Sequence, residues 1–243
     1  MNFKITSIND LTTFLKRFSP ISNSLLLEID GEHLKAKTHT PERSVVKSSK
    51  IELSQIFSFS ESIDEPILIG IYSLDKLIKA FSHFSGDDVN MAIQTETTED
   101  GIVGTEIVLQ NSQLKINFQC ASLRLFTHVT DEMMNKIADV ETAEVNFVLT
   151  KDIQTKIASL GSIDSDQKIL SFNLKKGVLS ARGKSYDYTL CNVDNKKVEL
   201  EISVYKNQFN FLDREDVVTY MSEDRLICQS IETSTSIVIG KVD

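Results

Sequence analysis

Asp10-Leu11-Thr12-Thr13-Phe14-Leu15 and Asp152-Ile153-Gln154-Thr155-Lys156-Ile157 open two stretches that run in the same order, and their reading decides the fold. In the first, Ile8, Leu11, Leu15 and Phe18 recur at the spacing of a one-sided amphipathic helix. Leu25–Ile29 then reads as a strand, and Asp30-Gly31 turns the chain into a partner strand that starts near His33. In the second, Ile153, Ile157 and Leu160 form the helical stripe, with Thr150 placed as its cap. Residues 169–174 follow as a strand, and its partner begins after Gly177. Each half then continues alike. Residues 68–72 lead into a helix with Leu74, Leu77, Ile78 and Phe81 on one face and Ser73 as its cap. Residues 198–205 lead into a weaker helical stretch at 206–214, where Phe209 and Leu212 are the clean pair and Phe211 breaks the stripe. Helix, strands, helix, strands therefore occur twice, and a long period of this kind marks a duplicated structural unit.

Outside these segments the chain alternates as short strands, at 89–93, 107–109, 114–118, 145–149, 178–181, 217–221, 226–231 and 237–239. Many short strands and only 3 prolines call for large antiparallel sheets. The expected fold class is α+β, with two similar domains at 1–127 and 143–243. Residues 128–142 between them are polar, acidic and without strand alternation, and read as a connector. Met133, Ile137 and Val140 are helically spaced, so a short helix also fits there.

A chain of 243 residues has room for two domains, and 41% hydrophobic with 25% charged residues is the make-up of a soluble globular protein. There is no apolar run of membrane-spanning length, and Met1-Asn2-Phe3-Lys4 does not start a signal peptide. Cys120, Cys191 and Cys228 are dispersed and odd in number, which suits buried thiols in a reducing cytoplasm and not a disulfide framework or a zinc site. His33, His39, His83 and His128 form no metal-ligand pattern. Gly86-Asp87-Asp88 has the composition of a turn, and Gly101 and Gly104 are too isolated for a phosphate loop. No nucleophile motif is visible, so a non-enzymatic protein without cofactor is expected.

The net charge of −9 argues against an ordinary nucleic-acid binder, which carries a basic excess. Its distribution says more. Lys16 and Arg17 lie off the apolar face of the first helix, and Lys76, Lys79 and His83 form a stripe of their own on the second. Lys151 and Lys156 lie on the third, while Lys206 and Arg214 flank the fourth. Eight Lys or Arg thus face Asp10, Asp75, Asp152 and Asp213, so the helices are net positive in an acidic chain. A single solvated helix face would carry such lysines without meaning. The asymmetry across all four helices is the electrostatic layout of a surface that encloses DNA.

In the stretches 11–18, Ile21-Ser22-Asn23-Ser24 and Ile71-Tyr72-Ser73-Leu74-Asp75-Lys76-Leu77 the chain resembles the sliding clamps of T-even-type tailed phages. Leu114-Lys115-Ile116, the helix after Asp152 and Phe209-Asn210-Phe211 extend the likeness, which reaches more distantly to the proliferating cell nuclear antigen family. It rests on order, spacing and length over most of the chain; the proline-free connector departs from the phage pattern. The resemblance implies a ring of six similar domains, with antiparallel sheets outside and short helices lining the inner face. Two domains per chain then require a homotrimer closed head to tail. Such a ring holds double-stranded DNA without reading its sequence, tethers a replicative DNA polymerase and is placed by a clamp loader. The DNA-facing set would be Lys16, Arg17, Lys76, Lys79, Lys151, Lys156, Lys206 and Arg214. The family also implies a partner-binding pocket beside the connector, here assigned to Leu125, Phe126, Met133, Met134, Ile237 and Ile239. The subunit edges are assigned to Leu114, Ile116 and Phe118 on one side, and to Val178 and Leu179 on the other. A non-ring viral polymerase accessory, or an all-β binding module, would have the same strand-rich composition; native mass separates it from a ring.

Overall fold

Two dipeptides set the register of the two halves. In the computed structural model Gly31 has φ +93°, and the Asp30 carboxylate accepts the backbone N–H groups of Glu32 and His33 at 3.1 and 2.8 Å. Lys176 and Gly177, with φ 53° and 79°, form the corresponding tight turn in the second half. The structure describes residues 1–60, 62–84, 88–99, 101–125, 129–193 and 197–242. The expected turn at Gly86-Asp87 lies outside them. The chain divides into two compact units, one comprising 1–39 and 48–130, the other 40–47 and 131–243.

The first unit runs β1 (Asn2–Ile5), α1 (Ile8–Lys16), β2 (Leu25–Ile29), β3 (His33–His39), the latter part of β4 (Val45–Glu52), α2 (Leu53–Ile56) and β5 (Phe57–Ser58). It continues with β6 (Ile67–Ile71), α3 (Leu74–Ser82), β7 (Val89–Thr98), β8 (Gly101–Gln110) and β9 (Lys115–Gln119), ending in a 3-10 turn at Leu123–Leu125. Its sheet has the order β3-β2-β6-β8-β7-β1-β5, with β9 on β8. The β6/β8 contact is parallel, and Ala121 N–H beyond β9 donates to the Gly70 carbonyl at 2.7 Å.

The helices form where capping and apolar spacing agree. Ser7 Oγ accepts the Asp10 N–H at 3.2 Å to cap α1, whose Leu11, Phe14 and Leu15 are buried. In α3 the side chain of Ser73 makes no cap bond. Asn23 supplies the cap instead, its Oδ1 accepting Asp75 N–H at 2.9 Å, so the cap comes from a distant loop. Leu74, Leu77 and Phe81 join the α1 side chains and Leu25, Leu27, Ile69 and Leu109 of the sheet in one core. Phe3 packs on Phe57 with ring centroids 5.0 Å apart.

The second unit runs α4 (Asp131–Ile137), β10 (Val145–Leu149), α5 (Lys151–Gly161), β11 (Ile169–Lys175), β12 (Val178–Arg182), β13 (Asp187–Asn192) and β14 (Leu200–Tyr205). A 3-10 segment at Lys206–Phe211 follows, then β15 (Val217–Met221), β16 (Arg225–Ser230) and β17 (Ser234–Gly240). One sheet has the order β10-β15-β16-β17, with the start of β4 beside β17. The other has the order β13-β12-β11-β14. Val242 N–H donates to the Ser203 carbonyl at 2.8 Å, just as Ala121 meets Gly70 in the first unit.

The connector stretch contains a short helix, α4, the alternative that the spacing of Met133 and Ile137 left open. Other expectations change. The fourth helical stretch is 3-10, because Phe209 stacks on Phe172 at 5.4 Å while Leu212 is also buried, and no α-helical stripe joins them. The buried face of α5 carries Gln154 and Ile157, and Leu160 is only half-buried. Residues 45–52 and 187–192 are strands that alternation did not reveal.

Candidate nucleic-acid interface

The two helices of the first unit lie side by side, with their apolar stripes turned to the core. Their polar faces are thereby presented together. Lys16 on α1 and Lys76 and Lys79 on α3 are exposed, while Arg17, at the end of α1, is half-buried. A cleft of about 430 Å³ separates the helices, lined among others by Asn9, Thr12, Lys16, Ile78 and Ser82. Asp10 is engaged by Ser7 Oγ–H at 2.7 Å and sits in the first turn of α1, where the helix dipole favours it.

In the second unit Lys151 and Lys156 are exposed on α5, whose start is capped by Thr150 Oγ1 accepting Ile153 N–H at 3.3 Å. Gln154 Nε2 donates inward to the Leu149 and Glu215 carbonyls at 3.0 and 2.6 Å, which fixes the rotation of this helix. Among the described residues Lys16, Lys76, Lys79, Lys151 and Lys156 make no ion pair. Their charges are available to a ligand.

Lys206 is placed differently. Its ammonium donates to the carbonyls of Gly161 and Asp164 at 3.0 and 2.6 Å, capping the end of α5. Arg214 is exposed, in a left-handed backbone with φ 57°. Before it, Asp213 is bound by Lys47, whose Nζ lies 2.6 Å from both carboxylate oxygens and 3.0 Å from the Phe211 carbonyl. Lys47 escaped the sequence reading, since nothing near it in sequence signals a partner so far along the chain.

The residues assigned to the partner pocket separate. Ile237 and Ile239 are 2% and 0% exposed, closed into the second unit's core, and offer no surface. Met134 on α4 is buried too, and Met133 beside it is 41% exposed. Leu125 ends the 3-10 turn at 123–125, and Phe126 lies outside the described residues. A groove of about 630 Å³ at that turn is lined by Glu96, Glu99, Val103, Leu123 and Arg124.

Of the two expected edges, β9 pairs only with β8, so its outer side is open among the described residues; it carries Ile116 half-buried and Phe118 buried, with Leu114 half-buried just before it. The second assignment is corrected. Val178 and Leu179 lie in β12, which β11 and β13 pair on both sides, so its backbone groups are already used. The end strands of that sheet among the described residues are β13 and β14, and β13 is the one next to β12. Its side chains are half-buried or exposed throughout, which is why no apolar alternation announced it.

Burial pushes the Cys228 thiol up to about 12, against the hydrogen bond from Thr219; burial and the nearby Glu106 charge do the same for Cys120. Neither is a nucleophile at neutral pH. Among the described residues no group of acidic, His or Cys side chains is arranged to hold a metal, and no helix is long and apolar enough to cross a membrane.

This architecture is the fold of the DNA sliding clamps. Among solved structures the chain is similar to a DNA polymerase III beta subunit from Eubacterium rectale, with a TM-score of 0.69 at 14% identity. All of this chain is covered, but it spans only 65% of that one. Proliferating cell nuclear antigen from Entamoeba histolytica matches with a TM-score of 0.64 at 10% identity, covering 100% of this chain and 98% of that one. The A. fulgidus protein of the same name, solved with the C-terminal region of FEN-1 bound, gives 0.67 at 11% identity, covering 100% and 99%. No protein-family model and no curated protein sequence matches the chain.

Proposed function

We propose that the chain is a subunit of a DNA sliding clamp: a ring that encloses duplex DNA, slides along it and tethers a replicative polymerase. The observation that carries this is the presentation of five exposed, unpaired lysines on the helices of two like units in a chain of net charge −9. Such a surface attracts phosphates diffusely and carries no base-reading geometry, which suits motion along DNA. The acidic remainder repels DNA from other surfaces.

Ring closure is proposed through β9 of one copy and β13 of the next. In the second unit, the last strand of the repeat, β17, has a neighbour in the start of β4. The strands holding the same places in the repeat, β9 and β13, each keep an open side among the described residues. Pairing them between copies completes the pattern, and head-to-tail repetition closes a cycle. A two-unit chain, like the nuclear antigens it covers at 98% and 99%, then forms a homotrimer. Within the class, the chain is placed with the T-even-type phage clamps on the segments that resemble them. Polymerase and loader are expected to dock by short tails beside α4 near Met133; a C-terminal region of FEN-1 is bound to the A. fulgidus protein. On this reading the chain has no catalytic chemistry of its own.

Topological retention tests the proposal. Rings assembled from subunits in the presence of circular duplex should stay bound through a high-salt wash and leave when the circle is cut. Loss from intact circles at the same salt as from linear DNA would show that nothing is enclosed.

A further inference from the structure

Lys47 belongs to the arm 40–47 that folds with the second unit, and its side chain is 0% exposed. A buried ammonium is costly unless it is paired and hydrogen-bonded. Here its acceptors are the Asp213 carboxylate and the Phe211 carbonyl, both at the end of the 3-10 segment. Asp213 and Arg214 both have left-handed backbones, with φ 55° and 57°. A side chain disfavours that conformation, and neither residue is glycine, so the surroundings must hold it. The result is a reversal in which Asp213 is engaged by Lys47 while Arg214 stands exposed. The same arm grips the start of the segment. Gln208 Nε2 donates to Ser44 Oγ at 2.8 Å, while its Oε1 accepts the Tyr205 N–H at 3.0 Å.

We propose that Lys47 is a positioning residue for DNA contact: its buried ammonium fixes the 211–214 turn so that Arg214 is presented to a backbone phosphate. Without it, the left-handed pair loses the carboxylate anchor, and Arg214 no longer has one direction. The inference rests on the clamp reading and adds to it a residue that itself never touches DNA.

The 243-residue chain is titrated onto a labelled short duplex by fluorescence anisotropy over a salt series, and thermal unfolding is followed in parallel. Lys47→Met alone removes the ammonium that pairs with Asp213 and should lower the melting temperature. The decisive variant is therefore Lys47→Met with Asp213→Asn, which removes both charges and should restore much of that stability. Its slope of log affinity against log salt should stay about one unit flatter than the parent's, the loss of one phosphate contact. Arg214→Ala should give the same flattening, and adding it to the double variant should change the slope no further. A double variant with the parent's slope overturns the proposal. So does a full further unit lost when Arg214→Ala is added. If the parent itself shows no salt-dependent binding, the clamp reading falls as well; if the parent binds and the double variant matches it, the positioning role alone falls.

Discussion

Side chains of one chemical type do different work here, and their hydrogen bonds decide which. Lys206 and Lys76 both sit on or beside helices that carry the positive face, yet Lys206 spends its ammonium on two carbonyls at the end of α5. Lys206→Met should therefore cost about 1.5–3 kcal/mol of stability, the scale of a hydrogen bond to a charged group. Lys76→Glu with Lys79→Glu should leave the unfolding midpoint within about 0.5 kcal/mol of the parent, as surface changes usually do, while weakening DNA binding. Denaturant titration and anisotropy read both effects. Asp30 yields a pH prediction. Burial opposes its ionised form, but the Lys35 ammonium and the His33 and Glu32 backbone N–H groups outweigh that and bring the carboxyl down to about 2. A depressed folded pKa adds stability that is complete above the ordinary value of 3.8 and is lost as pH falls from there to about 2. Unfolding midpoints of the parent should thus fall across that window, and Asp30→Asn should remove part of the fall. An unchanged acid profile in Asp30→Asn would show that other groups carry it.

Open strand edges are the features of consequence at the level of elements. Leu190 lies half-buried on β13, which has a neighbour on one side only. Leu190→Lys should weaken each contact between copies by about 2 kcal/mol, the scale of burying a leucine, or about thirtyfold in dissociation constant. Sedimentation should then show smaller species, with an unchanged circular dichroism spectrum. Assembly equal to the parent's would move the contact elsewhere. The legibility of elements followed their burial. The core stripes of α1 and α3 repeat at helical spacing, because one face is buried and the other wet, and both were readable. β13 lacks that contrast, and β4 buries Val45, Val46 and Lys47 in succession, so neither alternates. The misplacement of the second edge on β12 followed directly from missing β13. Phe209 in the 3-10 segment and Leu212 just after it both face the interior, but no longer stripe extends from them.

For the whole molecule, duplication was legible because it is a matter of order, which survives when identity does not. The fold matches sliding clamps at 10–14% identity, so the same architecture is built here from different side chains. The pairing of Lys47 with Asp213 was not legible, since the partners stand 166 residues apart and neither belongs to a pattern. The same is true of the placement of arm 40–47 in the second unit. The central claim is that copies of this chain close into a ring through β9 and β13. It is tested most directly by mass in solution, using multi-angle light scattering at high protein concentration with negative-stain imaging of the same fractions. A closed ring gives a species of three times 27.3 kDa with a central hole. A protein that stays at 27.3 kDa at every concentration and salt, with no ring in the images, would contradict it.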